Sequence, residues 1–344
     1  MKDRAARQSK PAGEEKYVLI VGQEPTKSAP TLTLSKALAG MGVPVRFESI
    51  DDVRRVDWLR IVRSARAIVI VSYLDFDAYR LSQLATAVAC NVPIVRWWVG
   101  TDVLNVITRK DVRASAALLD GIISANVCVA SHLVDELATA GIRAQCIPSV
   151  LDPELVPPSA APWCKGTKPI LIYMPGERKE FYGLGTIEPA IAANPDLDFI
   201  VMADESHALA SYRNVESIGW VSDMSRIYAR AGCVLRITEH DGFPRMLVEG
   251  LLRGLYVIYS WPFAGCWRAR TGAEIETALS RYRAVMQPNM IGRAAMLDML
   301  GTKPDRQMAS AIAGACVSLA ARVRAVMLAL RLLFFSRALA NVSG

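Results

Sequence analysis

Several common signposts are missing from this sequence. Its seven cysteines form no CxxC pair and follow no spacing pattern. That argues against a disulfide framework and for reduced, buried thiols in a cytosolic protein. Histidine is scarce, with His132, His207 and His240 the only three, and they are too dispersed for a protein-bound zinc site. The opening segment MKDRAARQSKPAGEEK is polar and lacks the apolar core of a signal peptide. Near the C-terminus, the longest uncharged apolar stretch, QMASAIAGACVSLAA, is too short to span a bilayer. The first strand runs into VGQEPTKSAP, which has no GxGxxG, so a nicotinamide-dependent oxidoreductase has little support. No short-period repeat is visible. The net charge of +7 is modest for 344 residues. Its basic residues are dispersed, with no nucleic-acid-binding motif, which leaves anionic ligands or a membrane surface as partners.

What is present points to two α/β domains. The chain is 52% hydrophobic and 21% charged, enough for two sizeable cores. YVLIVG (17–22), VPVRFES (43–49), AIVIVSY (67–73), PIVRWW (93–98) and VCVA (127–130) read as short buried strands. Helical patterns such as TLTLSKALAGMG and AYRLSQLATAVAC lie between them. Continuous apolar strands alternating with helices imply a parallel sheet covered on both faces. LDPELVPPSAAPWCKGTKP is rich in proline and reads as a connection. The alternation restarts at ILIYM (170–174) and continues through LDFIVMA, VESIGWV, CVLRIT and YVIYS. The expected plan is a mobile tail (1–15), a first Rossmann-like domain (16–155), a linker (156–168), a second Rossmann-like domain (169–285) and a helical tail (286–344). A cleft between such domains, at the C-terminal ends of the strands, is the default ligand site.

From residue 301 the tail holds Lys303, Arg306, Arg322, Arg324, Arg331 and Arg337 against Asp305 alone. RAVMLALRLLFFSRAL is apolar and basic, as a membrane-surface helix would be, although its polar stripe is ragged on a helical wheel. A terminal helix that packs back on the domains fits equally well.

RITEHDGFPRMLVEGLLRG (236–254) carries the chemistry. CVLRIT ends a strand. Pro244 suits the first helical position, because its missing N–H costs nothing there. Gly254 stops the helix after Arg253. Asp241 falls in the loop and Glu249 about two turns into the helix. Free amides at the helix start suit a phosphate, and the two carboxylates can accept hydrogen bonds from sugar hydroxyls. Read alone, Asp241 also fits a turn or capping residue. Glu249 also fits a solvated partner of Arg245 and Arg253. Arg236 shifts that balance, because a charge inside a parallel strand needs a partner. It either pairs with Asp241 or orients an acid or a phosphate.

IGWVSDMSRIYARAGCVLRITEHDGFPRMLVEGLLRGLYVIYS (218–260) resembles the signature region of retaining GT-B glycosyltransferases of family 4. Asp241 and Glu249 take the two acidic positions of that pattern, and GLYVIYS takes the strand that follows. VPIVRWWVGTDV (92–103), ANVCVASHLVDELATAGIRAQCIPSVLD (125–152) and YMPGERKEFYGLGTIEPAIAANPDLDFIVM (173–202) resemble other family segments. The likeness extends more loosely over about residues 15–280. The resemblance implies that Glu249 holds the nucleotide ribose. Asp241, with the backbone of Gly242 and Phe243, would contact the donor sugar, with Arg236 on the same side. Arg178 and Lys179 would neutralise the leaving diphosphate. Gly100, Thr101 and Asp102 would line the acceptor side. It implies a nucleotide diphosphate sugar, UDP- or GDP-linked, as donor, a saccharide or lipid-linked acceptor, and neither metal nor cofactor. The sequence departs from the family in having Asp at the first acidic position and Pro244 where Gly is usual. Trp97 and Trp98 stand where a histidine often precedes Gly-Thr-Asp, and they suit a core or an acceptor stack. His132 and His240 read as hydrogen-bonded structural histidines. The function implied is hexosyl transfer with retention, in bacterial polysaccharide or glycolipid synthesis, in the cytoplasm or at the inner membrane face. A catalytically silent GT-B module that binds nucleotide sugar or protein partners is the alternative.

Overall fold

The computed structural model describes residues 16–22, 29–49, 55–71, 77–149, 156–160, 163, 168–221 and 223–340. The expected N-terminal tail and half of the expected linker lie outside the described residues, as does the segment 23–28 after the first strand.

Six parallel strands form the first sheet: β1 (Tyr17–Gly22), β2 (Val45–Glu48), β3 (Ala65–Val71), β4 (Ile94–Trp98), β5 (Ala125–Cys128) and β6 (Gln145–Cys146), in the order β2-β1-β3-β4-β5-β6. The connecting helices are α1 (Ala29–Gly40), α2 (Arg55–Ser64), α3 (Ala78–Ala89), α4 (Thr101–Thr108), α5 (Lys110–Asp120) and α6 (Ser131–Thr139). Alternate residues of β1 and β3 enter two separate cores. Val18, Ile20, Val69 and Val71 face one, while Leu19, Val21, Ile68 and Ile70 face the other. That is why these strands are apolar almost throughout, with the exposed Arg66 at the start of β3 as the exception.

The second sheet is also parallel and six-stranded: β7 (Ile170–Tyr173), β8 (Phe199–Met202), β9 (Val215–Ile218), β10 (Cys233–Arg236), β11 (Tyr256–Tyr259) and β12 (Trp267–Arg268), in the order β12-β11-β10-β7-β8-β9. Its helices are α7 (Leu184–Ala193), α8 (Met224–Arg230), α9 (Arg245–Leu252) and α10 (Gly272–Arg283). The chain leaves β7 outward to β8 and returns to its other side at β10. A crevice therefore opens between the C-terminal ends of β7 and β10.

Three helices follow: α11 (Met290–Gly301), α12 (Pro304–Ala313) and α13 (Leu319–Ala340). Met296 of α11 lies in the second lobe's core, whereas Met308 and Ile312 of α12 lie in the first lobe's core. Ala325 of α13 is fully buried against α3 residues such as Leu84 and Val88. The tail thus packs back on both lobes, α11 on the second and α12 and α13 on the first. Among the described residues no helix is long and apolar enough to cross a membrane. The expectation that the cysteines are buried holds only in part: Cys128 and Cys233 are buried, but Cys90, Cys146 and Cys316 are exposed.

Candidate functional site

Arg236 is the last residue of β10, and its position explains how a charge survives there. Its Nε donates to Asp241 Oδ2 at 2.7 Å, with only 11% and 14% of the two side chains exposed. Burial works to lower the guanidinium pKa, but the Asp241 charge and hydrogen bond outweigh it and hold Arg236 above its ordinary value. The other Asp241 oxygen accepts the Gly242 N–H at 3.0 Å. Tyr259, Arg236's neighbour in register on β11, is buried, and its hydroxyl has no hydrogen-bond partner among the described residues. Burial and the Asp241 charge both push that phenol up, while Arg236 opposes them.

The helix after this loop starts one residue later than expected. Pro244 is the N-cap (φ −74°, ψ 109°), and Arg245 is the first helical residue. Proline satisfies the same constraint there, because an extended ψ turns the chain into the helix and no donor is lost. Gly254 follows the C-cap at φ 78°, the left-handed stop. Glu249 is therefore little more than one turn into α9, not two. It is also not solvated, at 8% exposure. The Tyr228 hydroxyl donates to Glu249 Oε2 at 3.0 Å, and Arg245 approaches Oε1 at 3.2 Å. Arg253 instead donates to the Glu249 backbone carbonyl at 3.1 Å. Burial and the Glu249 charge hold the Tyr228 phenol well above its ordinary value. Each Glu249 oxygen keeps a lone pair for a further donor.

Across the crevice, β7 runs into Pro175 and a single 3-10 turn, Gly176–Arg178. The exposed Arg178 guanidinium lies over Phe181 at 4.2 Å and Tyr182 at 5.8 Å. Arg236 approaches the same Tyr182 ring at 5.1 Å, so one aromatic ring joins the two arginines. The Glu239 N–H donates to the Phe181 carbonyl at 3.1 Å, tying the two loops together. Lys179 is half-buried at the end of this turn.

The first lobe meets the site at two places. A Cβ added to Gly242 would stand 1.9 Å from the Val99 carbonyl oxygen, and one on Gly100 would stand 3.0 Å from the Gly242 nitrogen. Gly100 also has φ 142°, which disfavours any side chain. Phe243 packs against the cores of both lobes. Thr101 is exposed beside this contact, but Asp102, expected on the acceptor side, is turned inward. It is 2% exposed and accepts the N–H groups of Val99, Gly100 and Val103 at 2.9–3.1 Å. Burial raises its carboxyl and lowers the neighbouring buried Arg96 to about 10, while their mutual attraction opposes both shifts. Asp102 therefore shapes the β4–α4 loop. Trp97 and Trp98 are core residues at 1% and 0% exposure, with Trp98 Nε1 donating to Asn126 Oδ1 at 2.9 Å.

The second contact involves side chains to which sequence reasoning gave no site role. His132, near the start of α6, places Nε2 2.8 Å from the Asp241 carbonyl oxygen. Its ring stacks on Trp261 at 5.4 Å. His240 Nε2 stands 2.9 Å from Glu136 Oε2, one helical turn further along α6. Both histidines are indeed hydrogen-bonded, but the bonds cross from one lobe to the other. The only sequence signal was their nearness to the motif segments.

No protein-family model matches the chain, and no curated protein matches it. Solved structures do. Anabaena HepE in complex with UDP is similar with a TM-score of 0.66 at 14% identity, over 86% of this chain and 99% of that one. The lipopolysaccharide outer core galactosyltransferase WaaB, in its apo form, gives 0.59 at 11% identity over 86% and 99%. Sucrose-phosphate synthase from Thermosynechococcus elongatus gives 0.59 at 11% identity over 95% and 100%. Two parallel six-stranded sheets with covering helices, a crevice at the switch point of the second sheet and these likenesses make the chain an α/β protein of the GT-B fold.

Proposed function

We propose that this protein is a glycosyltransferase that moves a hexose from a nucleotide diphosphate sugar to a saccharide or lipid-linked acceptor with retention of configuration. The observation that carries this reading is the Arg236–Asp241 pair at the switch-point crevice, linked through Tyr182 to Arg178 on the opposite loop. A buried charge pair aimed at a crevice and an exposed cation beside it suit a ligand with a diphosphate at one end and hydroxyls at the other.

In this reading Arg178 and Lys179 neutralise the diphosphate as the bond between sugar C1 and phosphate oxygen breaks and its electron pair leaves with the phosphate. Asp241, oriented by Arg236, accepts hydrogen bonds from donor-sugar hydroxyls. The Gly242 and Phe243 backbone lies beside that sugar. Glu249, steadied by Tyr228 and Arg245, accepts from the ribose. The acceptor enters past Gly100 and Thr101, and its oxygen bonds to C1 on the face the phosphate leaves. Its proton passes to the departing phosphate oxygen. A UDP-sugar is the first donor to try, because HepE structures hold UDP and UDP-glucose, and a GDP-sugar is the second. The work belongs to polysaccharide or glycolipid synthesis in the cytoplasm, at the inner membrane face, where a basic protein meets lipid-linked acceptors.

Thermal shift with UDP-, GDP-, ADP- and TDP-sugars tests the reading, followed by transfer or donor hydrolysis with the best binder. Binding and turnover that Asp241→Asn or Glu249→Ala abolish support it. Binding without turnover would favour a silent nucleotide-sugar-binding module, and no binding at all would sink both readings.

A further inference from the structure

The last helix is apolar on two opposite sides, and among the described residues only one of them is covered. Inward, Ala325, Leu328, Ala329 and Leu332 pack on the first lobe. Outward, Leu319, Val323, Val326, Met327 and Leu330 are 80%, 55%, 41%, 65% and 46% exposed. Their spacing confines them to a stripe about 100° wide. The three arginines between residues 319 and 332 flank this stripe. Arg322 lies along one border, and Arg324 and Arg331 along the other. Arg322 donates to the Ala89 carbonyl at the end of α3, and Arg324 to the Gly121 carbonyl at the end of α5. Those bonds fix the guanidiniums at the rim, where each retains further N–H donors. Residues 319–340 contain no acidic side chain.

We propose that this outward stripe of α13 docks on an anionic lipid bilayer, with the helix lying in the interface plane. The inference rests on the reading of a membrane-associated transferase and deepens it by naming the surface. An exposed apolar centre between cationic rims matches acyl chains beneath anionic headgroups. The charge pattern disfavours a second copy of the chain. A twofold pairing of this helix would set arginine rim against arginine rim with no carboxylate on the helix between them. It also disfavours nucleic acid, which would leave the apolar centre without a partner.

The test is flotation of the full-length protein with phosphatidylglycerol/phosphatidylcholine vesicles, against phosphatidylcholine alone, at low and high salt. The expected result is flotation with anionic vesicles, weakened by salt, and a fall of about tenfold or more in the bound fraction for V323E/M327E. A wild-type protein that stays unbound, or a variant that floats equally well, overturns the proposal. So does a dimer in light scattering that V323E/M327E dissolves. Met327→Trp gives a readout independent of that variant's folding. Extra indole emission quenched by bromine-labelled acyl chains supports docking, and emission insensitive to them overturns it. UDP-sugar thermal shift on the same samples separates the two readings. Flotation without donor binding removes only the transferase, and donor binding without flotation removes only the docking surface.

Discussion

The Arg236 guanidinium and the Asp241 carboxylate meet at 2.7 Å from opposite ends of one strand-to-loop turn, almost out of water. Neither is replaceable alone. Breaking a buried pair strands the surviving charge, at a cost of about 3–5 kcal/mol. Arg236→Met and Asp241→Leu are each expected to lower denaturant midpoints by that order. The double variant should recover much of the loss while remaining inactive. A double-mutant cycle in urea measures this, and additive single effects would contradict the pairing.

Gly242 and Val99 set a second expectation. A Cβ at Gly242 would overlap the Val99 carbonyl at 1.9 Å, so Gly242→Ala must part the lobes or distort the loop. Overpacking of this kind costs about 1–3 kcal/mol. Small-angle scattering should show a larger radius of gyration for the variant, and an unchanged one would show that the loop absorbs the methyl group.

His132 acts on Asp241 through the backbone, so it is a positioning residue. His132→Ala should lower kcat by roughly tenfold, as misplacement of a reacting group does, with little change in donor KM. His132→Gln, which keeps a donor toward the Asp241 carbonyl, should restore part of the rate. Equal losses in both variants would assign the effect to the lost Trp261 stack instead.

Tyr228 links donor binding to alkaline stability. Its phenol is held well above 10 when folded, by burial and by Glu249. In the unfolded chain it ionises near 10, so its contribution is complete below that pH and is lost as pH rises beyond it. Tyr259 and Tyr282 are shifted in the same direction. Urea midpoints should therefore fall above about pH 10, and less steeply in Tyr228→Phe. The same variant should raise donor KM, because Glu249 loses one of its two braces. An identical alkaline limb in the variant would contradict the shift.

How far the sequence could be read depended on how local each signal was. Eight of the ten longer strands announced themselves through mostly apolar runs, because both sheet faces are covered there. β2 and β9 lie at sheet edges, carry Arg46, Glu48 and Glu216, and are only part-buried rather than buried as expected for 43–49. β6 and β12 did not announce themselves, since two residues carry no periodicity. The Asp241 loop was legible from its turn chemistry and its family likeness. The face that α8 lays over Glu249 was not, and without it a buried, braced carboxylate looked like a solvated one. Asp102 misled for a related reason, because nothing in GTD shows that its carboxylate folds back onto three amides of its own loop. The His132–Asp241 contact joins residues 109 apart in sequence, which no pattern within one lobe encodes. The polar stripe of the tail looked ragged because α13 is apolar on both its packed and its outward side.

The path of the tail has a mechanical consequence. The backbone passes from the first lobe to the second once between β6 and β7, and back again between α11 and α12. Two bodies joined by one tether can tumble freely. Two bodies joined twice can only swing about the line through both crossings, as a door swings on two pins. Cutting the first crossing with a protease would then leave the halves joined by the second, and the fragments would co-elute until they were denatured.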